Sequence, residues 1–402
     1  MNTLTKKILL GIITASLFSA FIYLEYFGLS NKLFNTLFGL CAIALLLNIP
    51  KKAVLIAGFF IGLLWFYWIG YSFKYQGVGY MQPFVTFGFG LLYLIFFAPL
   101  AFTNKPYIRA LLLFGLSFVE LLGWNWMKIE LLFVNSYLGI YKYQFVTILL
   151  ALSLPSLIKS KKYKYLPLLL LIFAYNYGYP KQNDAPLKIK LVQTNIPQNI
   201  KWKRESIYPT VAMIFQKIHT AQIQGYDVVV FPESVFPLFM NEMPKLLQEL
   251  EKASQKITII AGALMRKNNL NYNVTYMFQK GTYKVAKKLI LVPFGEYIPL
   301  PKFAQKFIND TFFQGESDFV TAKKPTDFVI KGIKFRNAIC YEATCKELYK
   351  GNVKYMIATS NNAWFTPSIE PTLQKLLLEF YARKNGVTIY HVANISGTGV
   401  IK

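Results

Sequence analysis

Seven apolar stretches separated by basic turns occupy the first 180 residues, and they limit that half to a membrane-embedded fold. Residues 8–27 are long enough to cross a bilayer, which takes about 20 apolar residues. They follow a short basic start at 1–7 and read as a retained first helix, because further spans follow. Residues 33–48, 53–73, 83–102, 110–126 and 144–158 continue the series. Residues 166–177 close it, short and with Pro167 near their start. Between the fifth and sixth, residues 127–143 mix Lys128, Glu130 and Lys142 with Leu131, Leu132 and Phe133 and read as an interfacial segment. The pattern predicts a transmembrane domain of about seven helices over 1–180 and a second domain over 181–402.

Basic residues set the orientation. The start, Lys51-Lys52, Lys105 with Arg109, and the cluster at 159–164 all fall on returns to one side, which is then cytoplasmic. A seventh crossing puts residues 181–402 in the extracytoplasmic space. The net charge of +25 reads as lysine-rich loops and contact with anionic lipid, not as nucleic-acid binding. Three scattered cysteines make neither a disulfide framework nor a metal pattern. Only two histidines, His219 and His391, are available for a Cys–His pair, which favours a carboxylate base. Trp65, Tyr67, Trp68, Trp124 and Trp126 suit a belt at the outer interface. Glu25 suits an interfacial position, whereas Glu120 lies deeper, where a carboxylate needs a partner.

After a polar linker at 181–186, strand-like and helix-like segments alternate. Strands are expected at 187–192, 227–231, 257–265, 274–279, 328–333, 334–340, 355–359 and 388–395. Helices are expected at 203–224, 244–253, 342–349 and 371–384. The order predicts an α/β sandwich with helices on both outer faces.

Three polar groups stand at strand ends in this half. Cys340 closes one strand and precedes a helix, whose first turn would favour a thiolate. Glu233, after Phe231-Pro232, could serve as its general base. Lys288 precedes the apolar run Leu289-Ile290-Leu291-Val292 and could stabilise an oxyanion. Taken singly, each is an ordinary buried thiol, turn carboxylate or lysine; the ordered triple carries the signal. Cys41 and Cys345 read as packing residues.

The triple resembles the nitrilase superfamily, and the attached membrane half narrows the resemblance to the apolipoprotein N-acyltransferase family. The stretches that carry it are residues 193–198 with Trp202, Phe231-Pro232-Glu233, Lys288 through Pro293-Phe294-Gly295-Glu296-Tyr297, Cys340-Tyr341-Glu342, and Ser360-Asn361-Asn362-Ala363-Trp364-Phe365. The resemblance implies Glu233 as general base, Lys288 as oxyanion stabiliser and Cys340 as nucleophile, with Glu296, Glu342 and Tyr341 in support. Trp202, Asn273, Trp364 and Phe365 would shape the substrate site. It implies a ping-pong transfer of an acyl chain from a phospholipid, through a Cys340 thioester, to the terminal amine of a diacylglyceryl-cysteine lipoprotein, in a bacterial inner membrane. No cofactor or metal and a monomeric state are expected. The family continues past the strand near 395 through further strands and a last membrane helix; the chain ends at Lys402, which predicts a truncated sheet. Residues 297–319, with Phe312 and Phe313, read as a lid touching lipid. Two other functions share the same residues: a membrane-anchored amidase with water as acceptor, and a catalytically inactive membrane scaffold.

Overall fold

The computed structural model describes residues 3–293, 295–297 and 319–402. They divide into two compact units. The first holds the described residues up to Leu121, with 125–179 and 367–376; the second holds 122–124, the described part of 180–366, and 377–402.

The first unit is helical. Its helices are α1 (Thr3–Tyr26), α2 (Lys32–Asn48), α3 (Lys51–Phe66), α4 (Gln82–Phe97), α5 (Pro106–Leu116), α6 (Lys142–Ser153) and the single turn α7 (Leu171–Ala174). Among the described residues, three helical runs are long and apolar enough to cross a membrane: Thr3–Tyr26, Lys51–Gln76 and Gly79–Phe102. The α3–α4 contact depends on Gly62, where a Cβ would stand 2.8 Å from the Tyr93 Cβ and closer still to the Phe89 carbonyl oxygen. Small residues at helix crossings let apolar helices approach closely in this way. Arg109, fully buried, donates to the carbonyls of Leu47, Ile49, Leu100 and Thr103, capping α2 and the turn after α4.

Several expectations for this half need correction. The helix expected over 110–126 ends at Leu116. There Lys142 Nζ donates to the Ser117 carbonyl at 2.6 Å, and Leu122 and Gly123 adopt positive φ, which a right-handed helix excludes. The segment at 127–143 is no interfacial strip: Ile129–Phe133 is a buried 3-10 turn, and Glu130 pairs inside with Lys142 at 2.5 Å. The last stretch is a 3-10 turn, Leu166–Leu170, followed by α7. The tryptophans of this half are packed inside the protein rather than facing outward. Trp65, Trp68, Trp124 and Trp126 are buried in protein, Trp65 against Phe18 and Phe21, and Trp68 against Trp126. Glu120 has its partner in Lys128, at 2.6 Å, and Glu25 in Lys375, at 2.7 Å. Cys41 is exposed on α2 rather than packed.

The second unit is an αββα sandwich. One sheet runs β1 (Ile189–Leu191), β2 (Val228–Val230), β3 (Thr258–Lys267), β4 (Leu270–Gln279) and β5 (Thr282–Lys287), in that order. The other runs β10 (Gly399–Ile401), β9 (Thr388–Asn394), β8 (Tyr355–Asn361), β7 (Ile333–Ile339) and β6 (Asp327–Ile330). The pairs β1–β2, β2–β3, β7–β8 and β8–β9 are parallel, so their C-terminal ends gather along one edge of each sheet. Alternation along a strand sorts the core. Val228, Val230 and Ile260 face Phe335, Ile357 and Val392 of the other sheet. Val229, Phe231 and Ile259 face α9 (Arg204–Ile223) and α10 (Pro244–Ala253) through Ile214, Ile218, Leu246 and Leu250. A one-turn helix, α8 (Gln198–Lys201), precedes α9. The helix α11 (Glu370–Asn385) buries Leu377, Phe380 and Tyr381, and Tyr381 stacks on Tyr349.

Two local expectations for this half also need correction. Lys288 follows a strand, β5, that is additional to the expected set, and the apolar run after it makes turns. The helix expected at 342–349 is two 3-10 turns, Cys340–Thr344 and Lys346–Tyr349. The strand β10 is additional to the expected set, and it pairs antiparallel with β9.

Candidate active site

Three strand ends bring the polar groups together. Past β2, Phe231 and Pro232 carry the chain into a turn that holds Glu233, with Ser234 at φ +47°. That turn lies directly on β3. A Cβ at Gly262 would stand 2.7 Å from the Glu233 Cα and closer still to the Ser234 nitrogen, so only glycine leaves room. Past β5, the Lys288 N–H donates to the Asn273 carbonyl at 2.9 Å, and its side chain is buried.

The polar groups then interlock. Lys288 Nζ lies 2.6 Å from Glu296 Oε2 and 3.9 Å from Glu233 Oε1. Asn273 Nδ2 donates to Glu233 Oε1 at 2.8 Å and to Glu296 Oε1 at 3.3 Å. The Val292 N–H donates to Glu296 Oε2 at 2.9 Å. Burial alone would drive Lys288 toward the neutral amine; Glu296, Glu233 and Cys340 outweigh it and hold the ammonium well above the ordinary lysine range. The result is a permanent cation beside a carboxylate.

Cys340 follows β7 with φ +55°, a left-handed conformation that costs a non-glycine residue about 1–3 kcal/mol. Glu342 holds that bend. Its carboxylate accepts from the Ile339 N–H at 2.7 Å, the Leu289 N–H at 2.6 Å and the Ile290 N–H at 3.1 Å. One buried side chain therefore ties the end of β7 to the residues after Lys288. Burial pushes the Glu342 carboxyl up to about 7, against the pull of Lys288 and the three amides. The expected helix-dipole effect on the sulfur is small, because the turn that starts at Cys340 is five residues of 3-10 helix. Positive potential comes instead from Lys288 and Lys201, both of which sense charge on Cys340.

Tyr341 is buried, stacks on Trp124 with centroids 5.4 Å apart, and donates its hydroxyl to the Gly123 carbonyl at 3.0 Å. Residues 122–124 thus belong to this unit although they sit deep in the apolar half of the sequence. Trp202 is 43% exposed at the end of α8. Trp364 and Phe365 are half-buried at the turn after β8. Phe294 and most of the expected lid, 298–318, lie outside the described residues. Among the described residues no cluster of three or more acidic, histidine or cysteine side chains could hold a metal ion. His219 is exposed on α9, while His391 is buried between Ser360 and Gly397. Sequence reasoning missed Lys201, which is buried beside Glu233; in a chain with 44 lysines and arginines nothing marks it.

Residues 5–177 match the family model described as the apolipoprotein N-acyltransferase integral membrane domain, and residues 188–398 match the carbon-nitrogen hydrolase model. An apolipoprotein N-acyltransferase of Wolinella succinogenes is 43% identical over 98% of this chain and 96% of its own length. Relatives of the same description from Helicobacter hepaticus and Helicobacter pylori are 36% and 34% identical, over 92% and 88% of this chain and 94% and 84% of theirs.

Proposed function

We propose, from the premise that this chain belongs to the apolipoprotein N-acyltransferase family, a two-step acyl transfer centred on Cys340. The chain is a multi-pass membrane acyltransferase. The donor is a phospholipid such as phosphatidylethanolamine, and the acceptor is the terminal amine of a diacylglyceryl-cysteine lipoprotein. The protein resides in the bacterial inner membrane, with residues 181–402 on the periplasmic side.

In the first step Glu233 takes the Cys340 proton and the sulfur attacks the ester carbonyl of the donor. The tetrahedral oxyanion is stabilised by Lys288, an effect typically worth about 3 kcal/mol. The C–O bond breaks, and Glu233 returns its proton to the departing lysophospholipid hydroxyl. In the second step the acceptor amine loses a proton to Glu233 and attacks the thioester. The C–S bond breaks, and the proton on Glu233 returns to sulfur. Thioesters store acyl groups and react readily with amines. Asn273 and Glu296 hold Glu233 and Lys288 in position, Glu342 and Tyr341 hold the cysteine bend, and Trp202, Trp364 and Phe365 border the substrates.

The observation that carries this reading is the Glu233–Asn273–Glu296–Lys288 cluster, buried except for the half-buried Glu296, with Cys340 electrostatically linked to its lysine, in a chain whose other half is apolar helix. The test supplies the purified protein with phosphatidylethanolamine and a synthetic diacylated lipopeptide. The peptide is expected to gain one amide-linked acyl chain. Release of free fatty acid at the same rate with or without the peptide would instead make water the acceptor and the protein a hydrolase.

A further inference from the structure

Lys201 is the last residue of α8 and is 1% exposed, among the largest fully buried side chains in the molecule. Its ammonium donates to the backbone carbonyl of Glu233 at 3.1 Å. An amide frames it on another side. With the Asn361 amide turned so that its oxygen faces inward, that oxygen lies 3.1 Å from Lys201 Nζ and 3.3 Å from Trp364 Nε1. In the opposite orientation Asn361 donates to Gln198 Oε1 and accepts from Asn394 Nδ2, both at 2.9 Å. A lysine is rarely buried this completely without a carboxylate in direct contact. Here it is spent on the main chain of the residue that carries the base.

We infer that Lys201 is a second cationic positioning residue of the site, which fixes the turn bearing Glu233 and supplies a positive charge that favours ionised Cys340. The inference rests on the acyl-transfer reading above. Charge counting supports it. Among the described residues, the charged groups that act on Lys201 are Glu233 and Cys340. Glu233 in turn lies near Lys288, which pairs with Glu296. With Lys288 charged and both carboxylates ionised, the cluster carries one net negative charge before the thiol ionises. Lys201 offsets that charge and, with Glu342 still partly protonated at neutral pH, lessens the negative field into which the sulfur ionises. Burial pulls the Lys201 ammonium down to about 8 while Glu233 and Cys340 resist, so its charge is present at neutral pH and lost just above it. Lys288, held far higher, cannot provide that change.

The experiment uses the full chain with Cys41→Ser and Cys345→Ser, leaving Cys340 as the reporting thiol, and compares Lys201, Lys201→Met and Lys201→Arg. Iodoacetamide alkylation is followed from pH 5 to 10, and acyl loading from phosphatidylethanolamine vesicles in parallel. In the Met variant the alkylation midpoint is expected to move up by about one pH unit, which is a tenfold change in the ionisation equilibrium. Loading at pH 7 falls about tenfold or more, and the Arg variant restores the midpoint. A folded Met variant with an unmoved midpoint overturns the inference. If the midpoint moves but no variant, nor the unmutated protein, accepts an acyl chain, Lys201 keeps its role at the thiol and the acyl-transfer reading fails.

Discussion

Glu342 and His391 are both buried in the second unit, and acid acts on them in opposite directions. Glu342 has its carboxyl raised from 4.5 to about 7, so on acidification through that window the folded state takes up a proton before the unfolded chain does, and stability rises. His391 is lowered from 6.5 to about 4 by burial, with the Gly397 carbonyl opposing. Its Nδ1–H donates to Gly397 O at 2.7 Å, so Nε2 accepts from the Ser360 hydroxyl at 2.8 Å. Between 6.5 and 4 the unfolded chain binds the proton first, and stability falls by roughly 3 kcal/mol. The two contributions nearly cancel in the unmutated protein. His391→Gln is therefore expected to gain stability relative to it between pH 6.5 and 4.5, and Glu342→Gln to lose it, read from thermal unfolding midpoints at several pH values. Glu342→Gln also leaves at least one of three N–H groups unpaired, each of them buried or partly buried, at a cost of about 1–3 kcal/mol near neutral pH, and acyl loading drops with it. Parallel pH slopes in all three proteins would contradict this assignment.

At the scale of elements, the site depends on how closely one turn lies on one strand. The Glu233 turn touches β3 only because Gly262 has no side chain. Gly262→Ala pushes that turn away and is expected to lower the acyl-transfer rate at least a hundredfold while β3 keeps its pairing with β4. Circular dichroism close to that of the parent, beside normal transfer, would refute the argument. Elements with a strong period are legible in the sequence: β2, β3, β7 and β9 lie within a few residues of the expected positions, as do α9, α10 and α11. Elements decided by tertiary contacts are not. The end of α5 is set by Lys142, distant in sequence, which donates to the Ser117 carbonyl. The bend at Cys340 is set by three N–H groups converging on Glu342. No local pattern announces either one. The tryptophans escape the sequence for a related reason: composition places aromatics at an interface, whereas Trp65 and Trp68 fill the space between helices.

Across the whole molecule, the chain joins a bundle of apolar helices to a two-sheet sandwich, and three residues from the apolar half of the sequence, 122–124, belong to the sandwich. Glu233 and Cys340 are readable because each follows a strand with parallel pairing, and strand ends are where parallel sheets collect their functional groups, whereas Lys288 follows the antiparallel β5, which the sequence pattern does not mark. Lys201 and the Tyr341–Trp124 stack are not readable, because each is a contact between segments far apart in sequence. The whole account rests on one covalent event, the loading of Cys340. The most direct measurement is the intact mass of the purified protein after exposure to phosphatidylethanolamine, beside Cys340→Ala. The account predicts a gain of one acyl chain that hydroxylamine removes and that the alanine variant lacks. A folded protein that gains nothing, or a gain that persists in Cys340→Ala, would contradict it.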